Sequence, residues 1–154
     1  MQLHQTSRSR LLALKINSKQ VELAAKLFQI YQKLQSEGIM LSSEKAFLYF
    51  QVSNKEIHIE HVGVEVLDII KVEQPYELID FHPEFCFTQS IKRSQQSFDL
   101  QFLNEYCQKM KKELINQEIN PCSRGRVWFT WSSWNCESEL EINLEIFSGI
   151  KNEY

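Results

Sequence analysis

The stretch Glu139-Leu-Glu-Ile-Asn-Leu-Glu-Ile146 alternates polar and apolar residues without interruption. Successive side chains of a β-strand point to opposite faces of a sheet, so the pattern predicts a strand with one buried face. We expect the apolar side chains to meet a layer of helices; they are Leu140, Ile142, Leu144 and Ile146. The other side chains form an acidic stripe that should face water, a cation or a basic neighbouring strand: Glu137, Glu139, Glu141, Asn143 and Glu145.

The preceding segment, residues 126–134, predicts an aromatic strand that places tryptophans beside this stripe. In such a strand Phe129 and Trp131 point to one face, and Trp128 and Trp134 point to the other. If Phe129 and Trp131 face the helices, the other two tryptophans share the outer face with the glutamates. A tryptophan buries roughly 150–250 Å², so both rings should be covered. The candidates are the loop of residues 67–83, another protein or subunit, and a small ligand.

The first half of the chain predicts a strand, a helix and a hairpin. Residues 11–16 are short and apolar, and apolar residues then recur at helical spacing until Gly38. Residues 46–52 and 57–66 are rich in aromatic and β-branched side chains and flank a turn-like stretch, which is typical of a hairpin.

The second half repeats this order. Residues 85–91 predict a strand, and Ser94 or Ser97 would cap a helix whose apolar stripe continues until Asn120-Pro121. Two strands follow. Residues 67–83 contain two prolines and predict a connector with at most one short element.

Together these elements predict a single α+β domain over residues 1–154, with halves at about 10–66 and 84–148. It would be a two-layer sandwich, a mainly antiparallel sheet with two helices on one face. An elaborated ferredoxin-like sheet is the alternative. The element order resembles that of duplicated modules such as the GyrI-like ligand binders. Because the likeness is confined to element order and no motif of that family is present, it implies a fold and no function.

The overall charge argues against polyanionic partners. The chain has 154 residues, a formal net charge of -3 and a pI near 5.8, so we expect neither a nucleic-acid nor a membrane partner. The sequence also lacks an export signal and any apolar run near the ~20 residues of a membrane-spanning helix. We therefore expect a cytoplasmic protein. An organelle matrix is the alternative, since residues 1–21 contain basic residues and no acid.

No cofactor or metal site is predicted. The four cysteines form no C-x-x-C pair, and His58 and His61, three residues apart on a predicted strand, would point to opposite faces. Phosphate-loop, hydrolase and zinc-protease motifs are also absent. Whether the chain is an enzyme stays uncertain, with binding favoured.

Two weaker chemical candidates lie in the second half. Cys122 has Arg124 and Arg126 close in sequence, which would favour a thiolate, and the loop residue His82 could pair with it. The same arginines flank Gly125 and could hold an anion. The simpler interpretation is that this segment is a solvent-exposed stretch leading into the hairpin.

These observations leave three hypotheses. The leading one is a non-enzymatic protein-interaction or assembly subunit that uses the outer face, and the third is an enzyme without a recognisable motif. The second is a small-ligand binder with an aromatic pocket between the halves. In that pocket Arg124 or Arg126 would orient an anionic group, and the walls would be Tyr49, Trp128, Trp131 and Trp134.

Overall fold

A computed structural model of the chain describes residues 2–16, 23–53, 56–67, 71–94, 100–130 and 139–151. Within these residues it has eight strands and two helices. In chain order they are β1 (Gln2–Gln5), β2 (Ser9–Lys15), α1 (Leu23–Glu37), β3 (Leu41–Ser53), β4 (Glu56–Val66), β5 (Tyr76–Phe81), β6 (Glu84–Ser94), α2 (Leu100–Asn116), β7 (Arg124–Thr130) and β8 (Glu139–Lys151).

All eight strands join one antiparallel sheet in the order β1-β6-β8-β7-β3-β4-β2-β5. The predicted α+β class with a mainly antiparallel sheet is confirmed. Strands β3, β4 and β2 come from the first half and β6, β8 and β7 from the second, and the two groups meet where β3 pairs with β7. The ferredoxin-like alternative does not describe this eight-stranded order.

One face of the sheet packs against both helices and forms the main core. The alternation of β8 places Ile142, Leu144 and Ile146 on this inner face, as predicted. Buried residues at helical spacing complete the core: Leu27, Ile30 and Leu34 from α1, and Leu103, Cys107, Met110 and Leu114 from α2. We call the opposite side of the sheet the outer face.

Strand β1 was not predicted, whereas β5 is the one short element that the predicted connector allowed. Each pairs away from the strand that follows it. Three residues separate β1 from β2, yet β1 pairs with β6; two residues separate β5 from β6, yet β5 pairs with β2. The polar start of the chain and the predicted connector therefore supply the two edges of the sheet.

These short links require a strongly curled sheet. Six strand spacings of about 4.8 Å would separate β1 from β2 by roughly 29 Å in a flat sheet, whereas the four peptide steps from Gln5 to Ser9 span at most about 15 Å. The corner is closed at Thr6, whose amide donates to the Glu84 carbonyl at 2.8 Å and whose hydroxyl accepts from the Glu84 amide at 3.0 Å. Rings from β3 and β5 stack on the outer face, which is therefore the concave side.

Both helices end in the same hydrogen-bonded turn but with different residues. In α1 the Ile39 amide donates to Leu34 at 3.0 Å and Gly38 has φ of 63°. In α2 the Ile119 amide donates to Leu114 at 2.9 Å, and Glu118 adopts φ of 62°. The predicted end at Gly38 is confirmed, whereas α2 ends before the predicted stop because the chain turns at Glu118.

The positive φ at both helix ends predicts opposite effects of substitutions at Glu118 and Gly38. Glu118→Gly should raise the free energy of unfolding by roughly 0.5–1 kcal/mol, because glycine adopts positive φ without the steric cost of a side chain. Gly38→Ala should lower it by a similar amount. No atom lies within 4 Å of the added Cβ at Gly38, so the loss would be conformational. Urea denaturation measures both changes; a destabilised Glu118→Gly variant would contradict the assignment.

Candidate functional site

The centre of the outer face is the carboxylate of Glu145, which is only 1% exposed. It lies on β8 directly across from Arg126 on β7. Its Oε2 accepts hydrogen bonds from Arg126 Nε at 2.9 Å and from the Cys86 thiol at 3.1 Å, and its Oε1 accepts from the Trp128 indole N–H at 2.5 Å. The acidic stripe was expected mainly to face water, and at Glu145 that expectation is wrong. The alternative that it pairs with a basic neighbouring strand holds there.

Arg126 is the cation of this pair, and it is also buried. Its guanidinium donates to the Tyr49 hydroxyl at 3.2 Å and lies 4.9 Å from the centre of the Phe47 ring. Burial lowers the pKa of Arg126, but its interactions with Tyr49 and Glu145 outweigh burial and raise it. Burial raises the pKa of Tyr49 to about 12, so this phenol is neutral at pH 7. The Glu145 carboxylate is thus the anion that stabilises the guanidinium.

Aromatic side chains surround this ion pair. Tyr49 stacks on Phe81 of β5 with ring centres 4.1 Å apart, although three strand spacings separate their strands. Leu11, Phe47, Tyr49, Cys86 and Phe147 form a buried cluster on this face, with Phe81, Cys122 and Trp128 packed against it. The outer face is therefore a second apolar core around one buried ion pair.

Trp128 lies on the outer face, as the alternation of its strand predicts, and is half-buried. Besides the hydrogen bond from its indole to Glu145, its ring lies under the Lys45 ammonium, which is 4.3 Å from the ring centre. The sequence left three candidates for covering this ring: the segment 67–83, another protein and a small ligand. Of these, the segment 67–83 contributes Phe81, which packs against the same cluster. Trp131 and Trp134 lie outside the described residues.

The basic cluster around Gly125 is engaged within the fold. Arg124 pairs with Glu84 at 3.2 Å, and Arg126 pairs with Glu145. Gly125 lies where a Cβ would come within 2.6 Å of the Glu145 carbonyl, so β7 and β8 require glycine there. Both guanidiniums are thus already opposite carboxylates, and their assignment to an anionic ligand stays a prediction.

The cysteines differ in their surroundings. Burial raises the pKa of both Cys86 and Cys107 to about 12, with the Glu145 carboxylate adding to the shift at Cys86. Neither thiol is therefore a nucleophile at neutral pH. Cys122 is half-buried and hydrogen-bonds to Arg124. Its proposed pairing with His82 stays a prediction, and Cys136 lies outside the described residues.

His58 and His61 have separate partners. His58 Nε2 lies 3.1 Å from the Ser53 hydroxyl, and His61 Nε2 lies 2.8 Å from a Glu77 carboxylate oxygen. They are therefore engaged at different places along β4.

Sequence reasoning missed much of this site. Phe47, Phe81 and Cys86 were assigned only to strands or to a connector, and His4 was not considered. His4 lies at the rim, where its Nδ1 is 2.7 Å from the Thr88 hydroxyl and its Nε2 is 3.6 Å from the Cys86 sulfur. The one available signal was an acidic stripe beside a strand that carries two arginines.

Comparison with known proteins shows the fold. No family model matches the chain, and no curated protein matches it in sequence. Among solved structures, the EcmrR C-terminal domain has a TM-score of 0.72 and 16% identity, covering 95% of this chain and 94% of that domain. The chain has the fold of that regulator domain.

Two further structures extend the comparison. EcmrR in a complex with DNA has a TM-score of 0.71 and 16% identity, covering 97% of this chain and 57% of that one, so the chain spans little more than half of that protein. SAV2435 bound to tetraphenylphosphonium has a TM-score of 0.56 and 9% identity, covering 95% of this chain and 92% of that one.

The DNA complex contradicts the expectation of no nucleic-acid partner. That expectation came from the net charge of the whole chain. A net charge averages over the whole surface, so it does not by itself exclude a nucleic-acid partner. As for membranes, no helix among the described residues is both long and apolar enough to span one.

The buried ion pair predicts an asymmetric response to substitution. Glu145→Gln should destabilise the fold by about 3–5 kcal/mol, because it leaves a buried guanidinium without its anion. The double variant Glu145→Gln/Arg126→Met should recover most of that loss, since both charges are removed. Thermal and urea unfolding measure these changes.

The matched control is Asp80→Asn, which breaks the exposed pair that Asp80 forms with Arg10 at 2.8 Å. Because water screens this exposed pair, the substitution should leave the free energy of unfolding nearly unchanged. If Glu145→Gln cost no more than this control, the ion pair would not be buried as described.

Proposed function

We propose that this domain is a regulatory ligand-binding module and that its ligand is a small aromatic cation held on the outer face. The observation that carries the proposal is the buried Glu145 carboxylate with aromatic rings on several sides. An apolar concave surface with one convergent charged group is the usual composition of a small-molecule site. The apolar walls provide affinity and the carboxylate selects for positive charge.

The protein's own cations indicate where such a ligand would lie. Lys45 is 4.3 Å from the Trp128 ring centre, Arg126 is 4.9 Å from that of Phe47, and Arg124 is 5.3 Å from that of Phe147. The faces of aromatic rings attract cations. Lys45 is half-buried at the rim, and its flexible side chain can leave the ring. A ligand cation would replace it over Trp128, next to the carboxylate to which that indole donates.

Arg126 sets the strength of the attraction. In the free domain its guanidinium compensates Glu145, so a ligand cation gains less than it would from an isolated carboxylate. The same pair holds the carboxylate in position while no ligand is bound. In this proposal Arg126 compensates the carboxylate; the alternative in which an arginine orients an anionic group stays a prediction.

The comparisons support this proposal. SAV2435, which shares the fold, is bound to tetraphenylphosphonium, an aromatic cation. The EcmrR C-terminal domain shares the fold, and EcmrR itself is found in a complex with DNA. A domain that binds a ligand beside DNA-contacting parts could report the ligand to transcription, and such a regulator would act in the cytoplasm. The assembly-subunit hypothesis stays a prediction.

The direct test is a titration with tetraphenylphosphonium, followed by tryptophan fluorescence and calorimetry. We expect saturable binding and a change in Trp128 emission. Tetraphenylborate has nearly the same shape and the opposite charge, and it should bind far more weakly. Equal binding of both ions would show that the face recognises only apolar area and would contradict the role of Glu145.

Variants at the ion pair sharpen this test. Arg126→Met leaves the buried Glu145 carboxylate without its cation, so it should destabilise the free fold by about 3–5 kcal/mol, as Glu145→Gln does. At a pH at which that carboxylate is ionised, the variant should bind the cation roughly tenfold or more tightly, because an uncompensated carboxylate a few Å away contributes more than about 1.4 kcal/mol. Glu145→Gln/Arg126→Met should lose this gain, and Asp80→Asn should bind as the unmodified chain does. If Arg126→Met weakened binding of the cation and strengthened binding of tetraphenylborate, the ligand would be held by some group other than Glu145.

A further inference from the structure

Three possible metal ligands meet at the β1 edge of the outer face. They are His4 on β1, Cys86 on β6 and Glu145 on β8, which are three adjacent strands of the sheet. His4 and Cys86 are direct partners in the β1–β6 register. One donor atom from each of the three side chains lies within 4.8 Å of the other two, and among the described residues this is the group that could hold a metal ion.

The distances among these atoms fit a tetrahedral ion. The Cys86 sulfur is 3.6 Å from His4 Nε2 and 3.1 Å from Glu145 Oε2. Bonds of about 2.0–2.3 Å to zinc at the tetrahedral angle place two ligand atoms roughly 3.3–3.8 Å apart. The Cys86–His4 separation lies in this range and the Cys86–Glu145 separation is a few tenths of an ångström below it. The donor atoms of His4 and Glu145 lie within 4.8 Å of each other, so small side-chain adjustments would bring all three around one ion.

Neighbouring groups already orient two of the ligands. The Thr88 hydroxyl lies 2.7 Å from His4 Nδ1. If this hydroxyl accepts the Nδ1 proton, the lone pair of Nε2 points towards the sulfur; a second-shell bond to the distal nitrogen is usual for metal-bound histidine. On the other side, Arg126 and Trp128 donate to the Glu145 carboxylate and fix its position.

We propose that His4, Cys86 and Glu145 bind a Zn²⁺ ion at the rim of the outer face. A set of one imidazole, one thiolate and one carboxylate suits zinc and does not suit Mg²⁺ or Ca²⁺, which take oxygen ligands. On binding, the zinc–sulfur bond replaces the S–H bond of Cys86, and the released proton passes to water. Water or a small ligand takes the fourth position, as in other zinc sites with three protein ligands.

This site shares the Glu145 carboxylate with the proposed site of the aromatic cation but lies on the other side of it. The metal uses Oε2 of Glu145 and the β1 edge, whereas the organic cation lies over Trp128 on the side of Oε1. The zinc site does not rest on the proposed function. Substitution of His4, which is exposed, tests it without altering the aromatic walls.

The test uses the full chain with a metal alone. Competition with a chromophoric chelator should show one Zn²⁺ bound per chain, and Co²⁺ in its place should give near-ultraviolet absorption from a thiolate–cobalt bond. Cys86→Ser should abolish this absorption, whereas the matched thiol control Cys122→Ser should keep it. His4→Ala should weaken zinc binding at least about tenfold, and Thr88→Val, which removes the second-shell bond, by roughly tenfold.

The control for histidine is His58→Ala, which should bind zinc like the unmodified chain because His58 lies on β4 with Ser53 as its partner. Zinc uptake that is unchanged in both His4→Ala and Cys86→Ser would overturn the proposal, as would an absence of uptake by the unmodified chain. Tetraphenylphosphonium binding by His4→Ala should stay unchanged, so failure of the metal site and failure of the proposed function are distinguishable.

Discussion

A carboxylate with almost no contact with water must have its charge and both its oxygens satisfied by the protein, and Glu145 imposes this requirement on the whole outer face. Arg126 supplies the opposite charge, Trp128 donates to one oxygen, and Cys86 donates to the other. These donors come from β7 and β6, the two strands that flank β8. The position of Glu145 therefore depends on the register of three strands at once.

The curl of the sheet makes this burial possible. A flat sheet with helices on one side would leave Glu145 and Trp128 in water, which is what the alternation alone suggests. Because β1 and β5 cross to opposite edges over very short links, the outer face becomes concave, and Phe81 reaches Tyr49 from three strands away. The links thus turn an exposed sheet surface into a second, smaller core with one ion pair inside it.

Patterns in the sequence predicted the elements that depend on residues close together in the chain. The alternation from Glu139 to Ile146 identified β8 and its inner face, and Gly38 identified the end of α1. The order of the halves followed from helical and strand periodicity. Strand β1 was missed because its short polar segment has no such signal. Strand β5 was expected only as one short element of a connector. Their pairings join strands about 80 and 65 residues apart in sequence, which no local pattern specifies.

The candidate site could be predicted only in part for the same reason. Alternation placed Trp128 on the outer face, and a strand with two arginines lay beside an acidic stripe. The pairing of Arg126 with Glu145 depends on register, which the sequence pattern left open. His4 and Cys86 are 82 residues apart, so their contact follows from the edge strand that was missed.

Nuclear magnetic resonance of the Trp128 indole N–H tests the buried carboxylate most directly. Tryptophan-to-phenylalanine variants would assign its signal among the three indoles. We predict a signal shifted far downfield and protected from exchange with solvent, because the proton lies in a charge-assisted bond to Glu145. In Glu145→Gln/Arg126→Met the shift should return towards that of an exposed indole. An indole proton that exchanges freely in the unmodified chain, with the same shift in both proteins, would contradict the account.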